Sequence, residues 1–252
     1  MKGSLSIATC APGKDGCVPA NEALNAYMTA QPDTGDAVLR IGLHGSPWHL
    51  YGPDYRILGI EQLADMVRAQ GAKIQRVVLN ASWSGVAPER QRQPLAQQLS
   101  QALGGMPVEG RDGFLWFDSK GGSHTTRQAV SLFSSGPYAV AQGSPVMASL
   151  VAGWPAMLEA HFAQQKDGAA LLRAGAGHEI FHLCPERALA TFEAAAALAQ
   201  PVAAYNAAIL RLERNARGDT QAAHALLQQA AAQGDQPSAS LLASLMASLG
   251  RK

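Results

Sequence analysis

"VLRIGLHG", residues 38–45, and "VVLNASWSG", residues 77–85, decide the fold, because each is an apolar run that stops at a small, polar turn. Runs of Val, Ile and Leu without polar alternation are typical of strands buried on both faces of a sheet. Each run ends on one chemically capable side chain, His44 in the first and Ser82 in the second. The two stretches therefore predict neighbouring parallel strands that bring His44 and Ser82 to one edge of a sheet.

Helical patterns alternate with the strands in the first part of the chain. "GIEQLADMVRAQG", residues 59–71, and "RQPLAQQLSQALG", residues 92–104, each carry one apolar stripe at helical spacing. "PVEGRDGFLWF", residues 107–117, is predicted to be a further strand. This alternation predicts an α/β domain over residues 1–178, with a mostly parallel sheet flanked by helices.

The second part of the chain, residues 179–252, is rich in alanine and has no strand pattern. Its apolar positions recur at an offset of 35 residues: Ala188, Phe192, Ala195 and Ala204 reappear as Ala223, Leu227, Ala230 and Ala239. A period in the mid-thirties is typical of stacked helical hairpins, in which small alanines let paired helices approach closely. We therefore expect a C-terminal α-helical repeat module that contacts a protein partner.

Composition narrows the classes of function. A formal net charge of +1, with no run of Lys or Arg, offers no electrostatic surface for nucleic acid. The uncharged stretch 129–158 is interrupted by Pro137, Pro145 and Pro155, so we expect buried core there rather than a membrane-inserting segment. Three cysteines, none in CxxC spacing, together with the short apolar N-terminal stretch, predict a cytoplasmic protein or one delivered by a secretion system without a cleavable signal peptide.

The two strand ends resemble those of the caspase-like superfamily, which includes clostripain and the bacterial CHAT domains. There one strand ends in His-Gly and the next ends in the nucleophilic cysteine, and the matching residues here are "LHGSP" and "ASWSG". The similarity runs from about Asp36 to Asp118 and implies a caspase-like fold. The repeats, in turn, resemble tetratricopeptide-like repeats of the Sel type.

The resemblance to caspase-like peptidases implies roles for individual residues. His44 would be the base and Ser82 the nucleophile, while the backbone N–H groups of Gly45 and Ser82 would bind the oxyanion. The aromatic side chains of Trp48 and Trp83 would line a substrate pocket. Asp118 would either contribute to that pocket or, like Asp54, supply an acid to the site.

Ser82 stands where caspase-like peptidases have cysteine, and a serine hydroxyl needs a better-aligned base than a thiol does. Three explanations stay open: an engineered inactivating substitution, a natural pseudoenzyme that kept its binding groove, or a serine hydrolase with an added acid. The sequence accordingly predicts a caspase-like peptidase, or an inactivated derivative, that cleaves or recognises a protein or peptide substrate. By analogy with bacterial proteins of similar layout, an effector or toxin role follows.

Two alternatives belong to other classes. The first is a non-catalytic adaptor or immunity-type protein, in which both modules only bind partners. The second is a zinc metallohydrolase that uses His178, Glu179 and His182, which match the H-E-x-x-H pattern. Its third ligand would come from one of three downstream residues: Glu186, Glu193 or His224. Dinucleotide and phosphate-loop motifs are absent from the sequence, so no organic cofactor is expected.

Overall fold

The protein is described here by a computed structural model covering residues 4–6, 19–32, 35, 37–88, 92–117, 122–126 and 158–249. It is an α/β protein, as the sequence predicts. The chain divides into two compact units, and each is described by itself. The sheet unit comprises Met1–Asp54 and Leu58–Ala152, and the helical unit comprises Tyr55–Ile57 and Gly153–Lys252.

The strands, in chain order, are β1 (Ser4–Ser6), β2 (Val38–Gly42), β3 (His44–Gly45), β4 (Leu50–Tyr51), β5 (Ile57–Leu58), β6 (Arg76–Asn80), β7 (Val108–Glu109), β8 (Phe114–Phe117) and β9 (Ser123–Thr126). Four of them form a parallel sheet in the order β1-β2-β6-β7. Two shorter antiparallel pairings join β3 to β4 and β8 to β9. The parallel sheet is the frame that positions the strand ends.

Three described helices belong to the sheet unit: α1 (Pro19–Ala30), α2 (Ile60–Ala69) and α3 (Leu95–Ala102). The predicted apolar stripes are confirmed, because α2 buries Leu63, Ala64 and Val67 while α3 buries Leu95 and Leu99. These side chains join the buried strand residues of β2 and β6 in one core. The crossover helices therefore serve packing and leave the strand ends available for a site.

The stretch 107–117 was expected to be one strand, and that expectation is wrong. It divides into β7 and β8, which belong to different sheets. The reason is steric: a Cβ added at Gly110 would lie 2.5 Å from the backbone nitrogen of Gly85, and one at Gly113 would lie 2.3 Å from the carbonyl oxygen of Thr126. Only glycine permits these close approaches, and the chain turns between them.

The helical unit contains helical residues 158–164 (α4), followed by α5 (Gly168–Ile180), α6 (Pro185–Ala197), α7 (Pro201–Arg214), α8 (Asp219–Ala232) and α9 (Gln236–Leu249). Helices α6–α7 and α8–α9 form two successive hairpins, and α7 and α9 begin 35 residues apart. Their matching residues Ala188 and Ala223 are both fully buried, as are Phe192 and Leu227. Among the helices of the described ranges, none is long and apolar enough to cross a membrane.

The helical unit begins earlier than the predicted boundary at residue 178. Residues 158–180, which include α4 and α5, belong to it. The physical reason is the packing of α5 on α6, where a Cβ added at Gly175 would lie 2.5 Å from Cδ1 of Phe192. The uncharged stretch 129–157 and the cysteines Cys10 and Cys17 lie outside the described residues.

We expect Gly175→Ala to lower the free energy of unfolding by about 1 to 2 kcal/mol, because the cost of overpacking against Phe192 exceeds the roughly 1 kcal/mol gained in helix propensity. Urea unfolding followed by circular dichroism measures the change. Phe192→Leu is the partner variant, and the double variant should be less destabilised than the sum of the two single ones. Additive effects would contradict a direct contact between these residues.

Candidate functional site at the carboxyl edge of the sheet

The two strands that carry His44 and Ser82 are adjacent, parallel and in matched register, which confirms the predicted geometry of the strands. Gly42, the last residue of β2, pairs with Asn80, the last residue of β6. The amide of Leu43 continues the pairing by donating to the carbonyl oxygen of Asn80 over 3.3 Å. His44 lies two residues after the end of β2, and Ser82 lies two residues after the end of β6. Both therefore lie at the carboxyl edge of the sheet, where the sites of open α/β sheets are found.

Gly45 lies directly against the turn that carries Ser82. A Cβ at residue 45 would lie 3.0 Å from the carbonyl oxygen of Ser82 and 3.0 Å from Cβ of Ala81. The glycine thus lets the β3 backbone approach the turn after β6. This close packing brings together the two backbone segments to which the resemblance assigned the oxyanion site.

The turn that carries Ser82 is held by hydrogen bonds to β8 and to the chain just before it. Ser82 Oγ accepts a hydrogen bond from the backbone N–H of Leu115 over 3.0 Å. Ser84 Oγ accepts one from the N–H of Arg111 over 3.0 Å and donates to the carbonyl oxygen of Ala81 over 2.8 Å. Both serine hydroxyls therefore hold the turn in place, a role that their position in the sequence does not reveal.

Trp83 contributes to packing at this turn. It is 8% exposed, and its ring meets that of Phe114 edge-on with centroids 5.3 Å apart. Its backbone has φ = 62°, a left-handed conformation that is strained for a bulky residue, and its N–H donates to the carbonyl oxygen of Gly113 over 2.9 Å. Such strain is concentrated at functional sites, where surrounding contacts hold it in place.

The other predicted site residues lie in different parts of the chain. Trp48 lies half-buried in the β3–β4 turn, where its N–H donates to Oγ of Ser46 over 3.1 Å. Asp54 lies after β4 and is the last residue of the first segment of the sheet unit. Asp118 lies outside the described residues. The turn therefore presents Trp48, rather than Trp83, as the accessible aromatic residue near His44.

Burial lowers the pKa of His44 to about 4. Desolvation disfavours the charged imidazolium, so the ring is neutral at pH 7. A neutral imidazole can accept a proton, but one with so low a pKa is a weak general base at that pH. The environment of His44 therefore favours a hydrogen-bonding role over strong proton abstraction.

Arg111 is a third residue at this edge, and the sequence analysis missed it. It follows β7 by two residues, just as His44 follows β2 and Ser82 follows β6. Its Nε donates to Oδ1 of Asn80 over 3.2 Å, its Nη2 donates to the same oxygen, and its side chain is 21% exposed. The "GRDG" sequence signals a turn, but the stretch was assigned to one strand, so the end of β7 was not recognised.

The H-E-x-x-H residues lie in the helical unit and do not share one helix. His178 and Glu179 are fully buried on α5, which ends at Ile180, before His182. The rings of His178 and His182 are perpendicular, with centroids 5.5 Å apart. Over the described ranges, there is no group of three or more His, Cys, Asp or Glu residues that could hold a metal ion.

Glu159 on α4 accounts for the position of His178. Its Oε2 lies 2.9 Å from His178 Nε2, and its Oε1 accepts a hydrogen bond from Thr191 over 2.8 Å. Burial lowers the pKa of His178 more than Glu159 raises it. Of the proposed third ligands, Glu193 pairs with Arg211, while Glu186 and His224 complete no metal-binding group. This cluster links α4 to α5 and α6 and is accounted for by packing.

The fold and the polar residues at the sheet edge define an α/β protein whose candidate site follows the ends of three adjacent parallel strands, β2, β6 and β7. The sequence comparisons add one finding: residues 15–125 match a family model described as a domain of unknown function (DUF8616). The match spans most of the sheet unit's described part and less than half of the chain. No curated protein and no solved structure matches the chain.

Acid should destabilise the fold through His44. Between pH 6.5 and about 4, the unfolded chain takes up a proton at this residue that the folded chain does not, so stability falls as the pH drops through this window. The loss is at most about 3 kcal/mol, and above pH 6.5 His44 contributes nothing. Urea unfolding at pH 7 and pH 4.5 should show a smaller loss for His44→Gln than for wild type.

The control is His161→Gln, which removes an imidazole from an exposed position on α4. His178 and His182 also have lowered pKa values, so part of the acid sensitivity is common to all three proteins. Equal losses for His44→Gln and wild type would contradict a His44 that stays neutral in the folded protein.

Proposed function

We propose that the chain recognises a protein or peptide segment at the carboxyl edge of its sheet, through a caspase-like site that has serine in place of the nucleophilic cysteine. The observation that carries the proposal is the matched placement of His44 and Ser82 after paired strands, with Gly45 packed against the turn of Ser82. This layout corresponds to the two sequence motifs that resemble caspase-like peptidases.

Recognition without efficient cleavage is the form of this activity that the chemistry favours. The Ser82 hydroxyl already accepts a hydrogen bond from the N–H of Leu115, which withdraws electron density from the oxygen that would attack. His44, with a pKa of about 4, is a poor base for a hydroxyl at neutral pH. Both features weaken a serine nucleophile far more than they would weaken a cysteine, whose thiolate forms more readily.

Arg111 suggests the chemistry of the bound segment. Its guanidinium is anchored by Asn80 and is near Glu109, 3.4 Å from that carboxylate, while a fifth of its side chain stays exposed. A planar, anchored guanidinium binds a carboxylate in a bidentate manner. We therefore expect segments with an acidic side chain to bind better than neutral ones.

The wider setting of this activity is also a proposal. The helical repeats would contact a protein partner, and an effector or toxin that works in the cytoplasm, or is delivered there by a secretion system, fits the low cysteine content. A non-catalytic adaptor or immunity-type protein would use the same two surfaces. No observation specifically favours the zinc metallohydrolase.

Ser82→Cys tests the ancestry of the site. If the edge retains caspase-like geometry, the thiolate can attack a peptide carbonyl, and incubation with a peptide library read by mass spectrometry should reveal cleavage that wild type lacks. Products should be enriched in peptides with an acidic residue next to the cleaved bond, because Arg111 is nearby.

The matched controls are Ser84→Cys, which places a thiol two residues away on the same turn, and the double variant His44→Ala/Ser82→Cys. The first should show no cleavage. The second should cleave at least about a hundredfold more slowly than Ser82→Cys, since general-base assistance contributes that much to the rate. Absence of cleavage by folded Ser82→Cys, or equal cleavage by both cysteine variants, would contradict a peptidase-derived site.

A further inference from the structure

The helical unit holds a three-residue segment, Tyr55–Ile57, that is distant from it in sequence. Asn206 on α7 makes both of the backbone contacts: its Nδ2 donates to the carbonyl oxygen of Tyr55 over 2.8 Å, and its Oδ1 accepts from the N–H of Ile57 over 2.9 Å. These two groups flank Arg56. A single amide side chain thus binds the segment through main-chain atoms that any peptide offers.

The Arg56 side chain fills a pocket that matches its chemistry. Its two terminal nitrogens bind the two carboxylate oxygens of Asp235 over 3.0 and 2.6 Å. Its guanidinium carbon lies 4.8 Å from the centroid of the Tyr205 ring. The side chains of Arg56 and Asp235 are only 12% and 7% exposed. These contacts select a side chain that is planar, positively charged and able to donate two parallel hydrogen bonds. A lysine side chain has only the charge.

Asp235 is oriented for this contact by the start of helix α9. It precedes α9, and its Oδ2 accepts a hydrogen bond from the N–H of Ser238 over 2.9 Å. Burial alone would raise the pKa of Asp235, but hydrogen bonds from Arg56 and Ser238 outweigh it and lower that pKa. The carboxylate is therefore ionised and held in one orientation at neutral pH.

The repeat pattern does not require these residues. At the offset of 35 residues, Asn206 corresponds to Leu241, and Asp235 corresponds to the uncharged Gln200. Asn206 is fully buried on α7, whose other buried residues are alanines, Tyr205 and Leu210. A buried amide is retained only where its hydrogen bonds are satisfied, and here a peptide backbone satisfies them.

We propose that Tyr205, Asn206 and Asp235 form a peptide-binding site for an arginine carried in a bent segment like Tyr55–Ile57, in which Tyr55 has φ = 61°. Tyr55–Ile57 is the built-in occupant of this site, and an arginine-bearing segment of a protein partner replaces it. The site lies in the helical unit and does not depend on the activity proposed for His44 and Ser82.

A partner segment must displace Tyr55–Ile57 from the site before it can bind. A segment on the same chain has an effective concentration in the millimolar range, so a free peptide competes poorly in the wild-type protein. Removing the occupant should expose the site. Arg56→Asp does so by placing a carboxylate against the buried Asp235, which repels it, whereas Tyr205 and Asn206 stay intact.

The test uses a fluorescein-labelled peptide with the sequence of residues 52–60, GPDYRILGI, and fluorescence anisotropy on the full chain. The Arg56→Asp protein should bind it at least about tenfold more tightly than wild type. The same peptide with lysine at the arginine position should bind at least about tenfold more weakly, and so should the labelled peptide to Arg56→Asp/Asn206→Ala. Arg68→Asp, the same charge reversal on exposed α2, should bind like wild type.

Equal affinity of wild type and folded Arg56→Asp, or equal affinity for the arginine and lysine peptides, overturns the proposal. If Arg56→Asp does not fold by circular dichroism, the wild-type protein is titrated with both peptides to millimolar concentration. Saturable binding of the arginine peptide alone then supports the proposal, and its absence overturns it. Neither readout involves peptide cleavage, so failure here is distinguishable from failure of the sheet-edge site.

Discussion

The parallel pairing of β2 with β6 is the constraint on which the sheet unit depends. Gly42 pairs with Asn80, and this register places the residues that follow each strand at equivalent positions. A slip by one residue would turn the buried side chains of Leu39, Ile41 and Leu79 to the other face, so the apolar core enforces the register that the site needs. Hydrophobic burial thereby places His44 and Ser82 at equivalent positions after their strands.

The turn after β6 shows how a polar site is kept rigid on such a frame. Its hydroxyls and amides bond to β8 and to the chain just before it, and Trp83 keeps a left-handed backbone conformation while its N–H bonds to Gly113. The same hydrogen bonds that make the turn rigid also occupy the Ser82 oxygen. Rigidity and nucleophilicity therefore oppose each other here, and this opposition supports our proposal of recognition over cleavage.

Two buried clusters of the helical unit pair their polar groups with different parts of the chain. Around His178, the pairing groups come from the neighbouring helices: Glu159 bonds to both His178 and Thr191 within the helical packing. Around Asn206, they come from a segment elsewhere in the chain, Tyr55–Ile57. Buried polar groups cost stability unless they are paired, and the origin of the pairing group distinguishes a structural cluster from a binding site.

The sequence by itself determined the strands β2 and β6, the stripes of α2 and α3 and the 35-residue period, because periodicity and burial are local properties of the chain. Only the tertiary structure decided that residues 107–117 divide between two sheets, that Arg111 joins the edge and that Asn206 binds Tyr55–Ile57. Those features depend on close approaches at glycines and on hydrogen bonds between residues far apart in sequence. The "GRDG" turn marks the end of β7, but no local pattern encodes the contacts, since the partner of each group is known only once the chain has folded.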